Sequence, residues 1–326
     1  MNGRQIFNWS IRFVVLLILY YVFFISGTLA ITGLLPDVSS EPGLLPNDIG
    51  LLIIGIANTV LIILLILSSR WYGWKLAISL AFAYYGAVTF QTQIESWYFL
   101  LPSTIDEQLL LRLFMMGLPL AFVYIPLAVW ILRKGKANDK DKIKPEPSLR
   151  LPPGQWIWKL MVIALVYLVL YWGAGYFIAW QNPNLRAFYG SPGDIVPFWE
   201  HTANTLAIDP GLFPFQILRA LLWTLCALPI ILGSKMHPGY TTILLGLFFT
   251  IPQCLGLLIE NPLMPDASVR LSHLIEVGTS NFVFAMIISW LLHREHQSVQ
   301  DLLGMKHKIK KNEKDISPSI PTRAHL

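Results

Sequence analysis

Apolar residues along this chain gather into eight runs, at about 12 to 33, 50 to 68, 74 to 94, 109 to 132, 157 to 179, 213 to 233, 240 to 259 and 269 to 292, with polar, charged, Pro or Gly residues between them. A helix needs roughly 20 residues to cross about 30 Å of hydrocarbon, so every run is long enough to span a bilayer. None shows the period-two alternation of a membrane barrel strand, and a helix satisfies its own backbone where no water is present. The pattern predicts an all-α, polytopic integral membrane bundle of eight transmembrane helices.

Short matches recur between the two halves. Leu19-Tyr20-Tyr21 is echoed by Leu170-Tyr171-Trp172, Ser69-Arg70 by Ser234-Lys235, Ile94-Glu95 by Ile259-Glu260, and Trp130 to Arg133 by Trp290 to His293. The offset changes only where loops differ in length, as a duplicated unit allows. Four spans is an even number, so the copies share one orientation and form a 4+4 parallel repeat about an axis along the membrane normal. The expected organisation is a four-helix repeat over 1–132, a basic linker over 133–156, a second repeat over 157–293 and a disordered basic tail over 294–326. Thr28 and Ala30 offer the small residues of a signal-peptide cleavage site. The match between the first and fifth runs argues instead that the first is retained.

Charge orients the bundle. Of 24 Lys and Arg residues, all but Arg112, Arg186, Arg219 and Arg270 fall at one end: Arg4, Arg12, Arg70, Lys75, Arg133, Lys134, Lys136, Lys140, Lys142, Lys144, Arg150, Lys159, Lys235, Arg294, Lys306, Lys308, Lys310, Lys311, Lys314 and Arg323. Short basic loops stay in the cytoplasm, so both termini are expected there, in the plasma (inner) membrane of a bacterium-like cell. Composition agrees: 55% of residues are hydrophobic, only 13% are charged and the mean hydropathy is +0.56, more apolar surface than a soluble core of this size would bury.

Ionisable groups inside a span are costly, so each calls for a partner or a use. They concentrate in the outer half. Arg270, His273, Glu276 and Ser280 follow at three- and four-residue steps on one face of the eighth run. Tyr84, Gln91 and Glu95 share a face of the third, as do Gln253, Gly256 and Glu260 of the seventh. The sixth adds Gln216 and Arg219, and the fourth adds Arg112. Five helices thus bring polar groups to one depth, which predicts an outward-facing polar cavity. Its expected binding residues are Gln91, Glu95, Arg112, Arg186, Arg219, Glu260, Arg270, His273, Glu276 and Ser280, with His273 and Glu276 the weak catalytic candidates. The same residues also suit a structural clamp between helices. The inner half has no charged stripe; Asn58 and Pro119, Pro126, Pro229 and Pro252 interrupt it.

The longest loop, 180 to 212, carries Trp180, Phe188, Tyr189, Phe198 and Trp199 beside four prolines, a composition suited to lying over the outer helix ends. Arg186 within it has two readings, a bidentate grip on an anionic headgroup or a turn-stabilising partner of Glu200. Glu200-His201, and His293 with His296, are too sparse for a metal site, and Cys226 and Cys254 form no redox or zinc set. No Gly-rich phosphate loop, H-E-x-x-H or G-x-S-x-G is present. No metal, cofactor or nucleic acid is expected; the expected partners are membrane lipids and a small-molecule or lipid substrate. Three functions fit: a permease for a small solute or lipid headgroup, a membrane enzyme acting on an outer-leaflet lipid, and a non-catalytic sensor or assembly subunit.

Overall fold

The structure is a computed structural model and describes residues 3–100, 105–136 and 151–303. The linker residues Lys140, Lys142, Lys144 and Arg150 and the tail residues Lys306, Lys308, Lys310, Lys311, Lys314 and Arg323 lie outside them. The described chain is built of helices. Seven are long and apolar enough to cross a membrane: Gly3–Ile31, Asn47–Ser68, Glu107–Ile131, Pro153–Ala179, Leu212–Gly233, Pro238–Leu258 and Ala267–Leu292. The expected third span is helical without a gap, as Gly73–Tyr84, a π-turn at Tyr85–Phe90 and Gln91–Leu100. It is not among the seven because it is the most polar rod in the bundle, carrying Lys75, Gln91, Gln93 and Glu95. We number the eight rods in chain order.

The surface is that of a protein dissolved in lipid. Ile11, Val14, Ile18, Val22 and Ile25 of the first rod are exposed, while Leu16 and Tyr20 face inward. Met161, Leu165 and Val169 do the same on the fifth. Contiguous apolar exposure on this scale has no place in water. Beneath it one large core runs through all eight rods, with Ile62, Ala121, Ile163, Ala220, Phe248 and Phe284 completely buried.

Several pairings recur between the two halves. The first rod lies against the second and fourth as the fifth lies against the sixth and eighth, and third meets fourth as seventh meets eighth. Across the halves, third packs on sixth and second on seventh. Helix limits agree as well: Asn47–Ser68 and Leu212–Gly233 are both 22 residues. At the junction Ser69 and Ser234 form a lone antiparallel bridge. Its bonds are reciprocal, Arg70 N–H to the Gly233 carbonyl (2.6 Å) and Lys235 N–H to the Ser68 carbonyl (2.9 Å), so each half gives the other what it receives. The Arg70 guanidinium also bonds the Ser234 carbonyl, and Lys134 Nζ donates to the Ser69 carbonyl at 2.8 Å.

Three rods contain π-turns, at Tyr85–Phe90, Leu120–Tyr124 and Gly175–Ala179. Pro119 and Pro126 flank the second, where a missing N–H and a ring clash spoil the regular ladder; Gly86 and Gly175 sit in the others. Gln253 of the seventh rod donates to the Ala87 carbonyl inside the first π-turn. At the basic end, the first residues of the expected tail are folded: Arg294 pairs with Asp301 at 2.9 Å, Lys159 Nζ donates to the Arg294 carbonyl, and Gln155 donates to the carbonyl of buried His296.

Candidate functional site

The polar residues that converge lie at the end of the bundle opposite the basic loops. On the sixth rod, Arg219 sits three residues from Gln216 and therefore on the same face. Its guanidinium is forked onto Glu95 of the third rod, NH1 to Oε1 at 2.7 Å and NH2 to Oε2 at 2.6 Å. NH1 also donates to Gln216 Oε1 at 3.0 Å and Nε to Gln91 Oε1 at 3.4 Å. Gln91 Nε2 closes the ring by donating to the Arg219 carbonyl at 2.9 Å. The arginine side chain is 5% exposed and the glutamate 37%, so the pair stands at the edge of the bundle with its cation inward.

Beside it, His273 and Glu276 sit one turn apart on the eighth rod, with Nδ1 2.9 Å from Glu276 Oε2. The other ring nitrogen meets the Tyr189 hydroxyl at 3.1 Å. An ionised carboxylate can only accept, so Nδ1 carries the proton and, in the neutral ring, Nε2 accepts from the phenol. Glu276 Oε1 takes no hydrogen bond from the described residues; it lies against Gly175, where an added Cβ would stand 3.5 Å away. The two pairs are neighbours: Glu95 lies close enough to His273, and Glu95, Glu276 and Arg219 close enough to Tyr171 and Tyr189, for their charges to interact.

Tyr189 is delivered by the long loop, which folds into two helices, Pro183–Phe188 and Phe198–Ile208. Asn182 caps the first and binds Ser268 and Ser272 of the eighth rod, both at 3.0 Å. Gly190 (φ 75°) and Gly193 (φ 131°) supply the left-handed turns that bring the chain back after Tyr189. The second helix is anchored through His201, whose ring stacks on Trp172 (5.2 Å, 11°) between Tyr176 and Trp180, three aromatics at four-residue steps on the fifth rod. Burial pushes the His201 ring below its ordinary pKa, which suits a neutral stacked imidazole. Tyr98 holds the end of this helix by donating to Asp209 at 2.7 Å.

The structure thus brings together Gln91, Glu95, Arg219, His273 and Glu276 from three rods. The other expected binding residues stand apart. Arg270 is buried and spends its guanidinium on four backbone carbonyls, Met264 (2.7 Å), Pro265 (2.9 Å), Glu41 (2.7 Å) and Pro42 (3.0 Å). Arg186 does likewise with Gly193, Trp180 and Gln181, not with Glu200. Both are staples of loop backbone. Glu260 is exposed and bonds Asn47 at 3.2 Å, Ser280 donates to the Glu276 carbonyl of its own helix, and Arg112 is exposed. Tyr189 and Tyr98 were not singled out by helical spacing, because one lies in a loop and the other beyond the apolar part of its rod.

Toward the basic end, one to two turns below the cluster, Tyr167, Trp223, Phe249 and Phe284 are all buried, with Trp223 on Phe249 at 4.4 Å and Tyr167 on Phe284 at 4.7 Å. They form a closed floor. Above it residues 171–175 and 272–280 are partly or fully exposed. Among the described residues no three His, Cys, Asp or Glu side chains gather in a way that could hold a metal ion. No protein family, no curated protein and no solved structure matches the chain.

Proposed function

We propose that this multi-pass membrane protein crosses the plasma membrane eight times, as two parallel four-span repeats with both termini in the cytoplasm, and that its polar cluster is an extracytoplasmic acid–base site for a substrate entering from the outer leaflet or the outer medium. The eight-span topology rests on the unbroken third rod: 28 residues reach about 42 Å at helical rise, and neighbouring helices shield its polar groups. The positive-inside bias and the reciprocal junction at Ser69 and Ser234 support the orientation and the repeat.

The observation that carries the site is His273 held at both ring nitrogens. Glu276 fixes the ring and its tautomer, and Nε2 keeps a lone pair aimed at an O–H, the arrangement of a general base and its orienting carboxylate. Tyr189 occupies the place a substrate hydroxyl or amine would take. Because it comes from a loop, it can yield that place without disturbing the bundle. The closed aromatic floor favours an enzyme or a receptor site over a conduit. A permease is the second reading, favoured by the matched packing of the halves, which parallel-repeat transporters use for rocking; it requires the floor to part.

The test compares native mass spectra of the wild type, Arg219→Ala and His273→Ala, all purified from the same membranes. A lipid or metabolite retained by the wild type and lost in both variants is the expected result. Identical profiles in all three would remove the cluster as a binding site. Topology is read separately from single thiols at Glu107 and Lys136, since Cys226 and Cys254 are buried. Labelling of the first from outside and the second only after permeabilisation is expected, and the reverse pattern, with Lys136 labelled from outside and Glu107 only after permeabilisation, would mean that the third rod does not cross and would leave seven crossings.

A further inference from the structure

We infer that the ligand of this site presents a primary ammonium. The inference rests on the reading of the cluster as a binding site and adds its chemical class. Arginines near a membrane surface ordinarily suggest an anionic ligand, but none is free within this cluster, and exposed Arg112 stands apart from it. Arg186 and Arg270 are committed to backbone carbonyls, and four of the five N–H groups of Arg219 are taken by Glu95, Gln91 and Gln216. Two carboxylates, Glu95 and Glu276, therefore face one guanidinium that is already paired. With His273 neutral the cluster carries one uncompensated negative charge.

The surplus is located on Glu276, whose Oε1 has no donor while Oε2 holds His273. Glycine at 175 leaves room beside that oxygen. The aromatic neighbours of the carboxylates, Tyr167, Tyr171 and Tyr189, bring no positive charge to repel a cation. A primary ammonium supplies the missing donor and the missing charge together. A phosphate or carboxylate would meet Glu276 and Glu95 with no free cation to offset them. The ammonium and an imidazolium proton on His273 would compete for the same carboxylate, with Glu95 and Arg219 on the third and sixth rods as the remaining charges facing the site. Binding should therefore weaken as the medium is acidified.

The same chemistry is available from an aminated lipid headgroup or a soluble amine, and two arms separate them. Full-length protein is placed in nanodiscs of phosphatidylcholine with equal phosphatidylethanolamine and phosphatidylglycerol, and retained lipid is read by native mass spectrometry; a second arm adds free ethanolamine or inorganic phosphate. Retention of phosphatidylethanolamine, or binding of ethanolamine alone, by about tenfold over the anionic counterpart is expected, falling to parity in Glu276→Gln and kept in Glu276→Asp. Preference for phosphatidylglycerol or phosphate that Arg219→Ala abolishes would overturn the ammonium assignment and leave the site standing. Profiles unchanged in Glu276→Gln, His273→Ala and Arg219→Ala alike would overturn both. Should the Glu276 variants fail to fold, the wild type decides: amine retention must drop from about pH 8 to about pH 5.5, and a flat profile refutes the inference.

Discussion

Arg270 offers a direct measurement of what a buried cation does when its partners are carbonyls. Its side chain is buried at the start of the eighth rod and bridges two loops, the 261–266 turn through the carbonyls of Met264 and Pro265, and the 37–46 segment through those of Glu41 and Pro42. Replacing it with Met keeps the apolar stem and removes every donor. The Pro265 carbonyl still accepts from the Glu41 N–H, so three carbonyls are orphaned. At about 1 kcal/mol for each part-buried carbonyl that loses its guanidinium donor, the loss is about 3 kcal/mol. Lys in its place brings three donors from a single point in place of a planar fork, and satisfies one loop but not both. It should cost about half as much.

The assay is reversible unfolding in mixed micelles titrated with a denaturing detergent, comparing the wild type, Arg270→Lys and Arg270→Met. Limited proteolysis of the 37–46 segment is followed in parallel, because losing the staple should release that loop before the bundle opens. The reasoning fails if Arg270→Met costs less than about 1 kcal/mol, which would mean that the carbonyls rehydrate freely. It fails equally if Arg270→Lys matches the wild type, since then bridging two loops at once has no energetic value.

Two further outcomes are expected. Asp266 caps the same helix by accepting from Ser268 N–H at 2.7 Å and Val269 N–H at 3.2 Å, so Asp266→Ala should cost about 1 kcal/mol in the same titration. Burial opposes its charge, but Ser268, the two N–H bonds and Arg270 outweigh that and hold its pKa below the usual carboxylate range; this stabilisation is present above about pH 3.9 and is lost as the pH falls through the lowered value. At the other end, burial and then Lys159, Arg294 and His293 push the His296 ring down to about 4. A detached segment would titrate near 6.5, so docking of residues 294–303 is undisturbed above about pH 6.5 and weakens as the pH falls toward 4. Hydrogen exchange at residues 296–303 should rise on acidification in the wild type and much less in His296→Phe.

Much of this architecture is legible in the sequence because a bilayer leaves few choices. Runs of apolar residues must be helices, and their ends follow from the prolines and polar residues that bracket them. The third rod shows where hydropathy stops: Gln91, Gln93 and Glu95 make it too polar to count as a span by composition, although it runs unbroken beside the sixth rod. Helical spacing found Arg270, His273, Glu276 and Ser280 on one face, yet three- and four-residue steps cannot tell which member of a stripe meets a partner. Arg270 turned toward loop carbonyls and Ser280 toward its own helix, leaving only the middle two in the cluster. Tyr189 was beyond periodicity altogether. Its place depends on Asn182, the two left-handed glycines and the aromatic seat of His201, none of which has a repeat to read.

The proposed repeat also bears on why one such cluster stands among the described residues. Taking the offset at which Ser69 meets Ser234, Arg219 corresponds to Ile54 and Gln216 to Leu51; taking the offset that aligns Trp130 with Trp290, His273 corresponds to Leu113 and Glu276 to Met116. The frame around those positions is kept in both halves. Asp106 caps the fourth rod through the Leu109 N–H at 2.7 Å as Asp266 caps the eighth through Val269, and Glu260 stands where Glu95 stands. What differs is the filling, apolar on one side and ionisable on the other. In the proposed repeat, structural clamps placed by the frame would be expected twice. A guanidinium, an imidazole and a second carboxylate gathered on one side alone, at the desolvation cost of burying them, are better explained by a task that the other side does not perform.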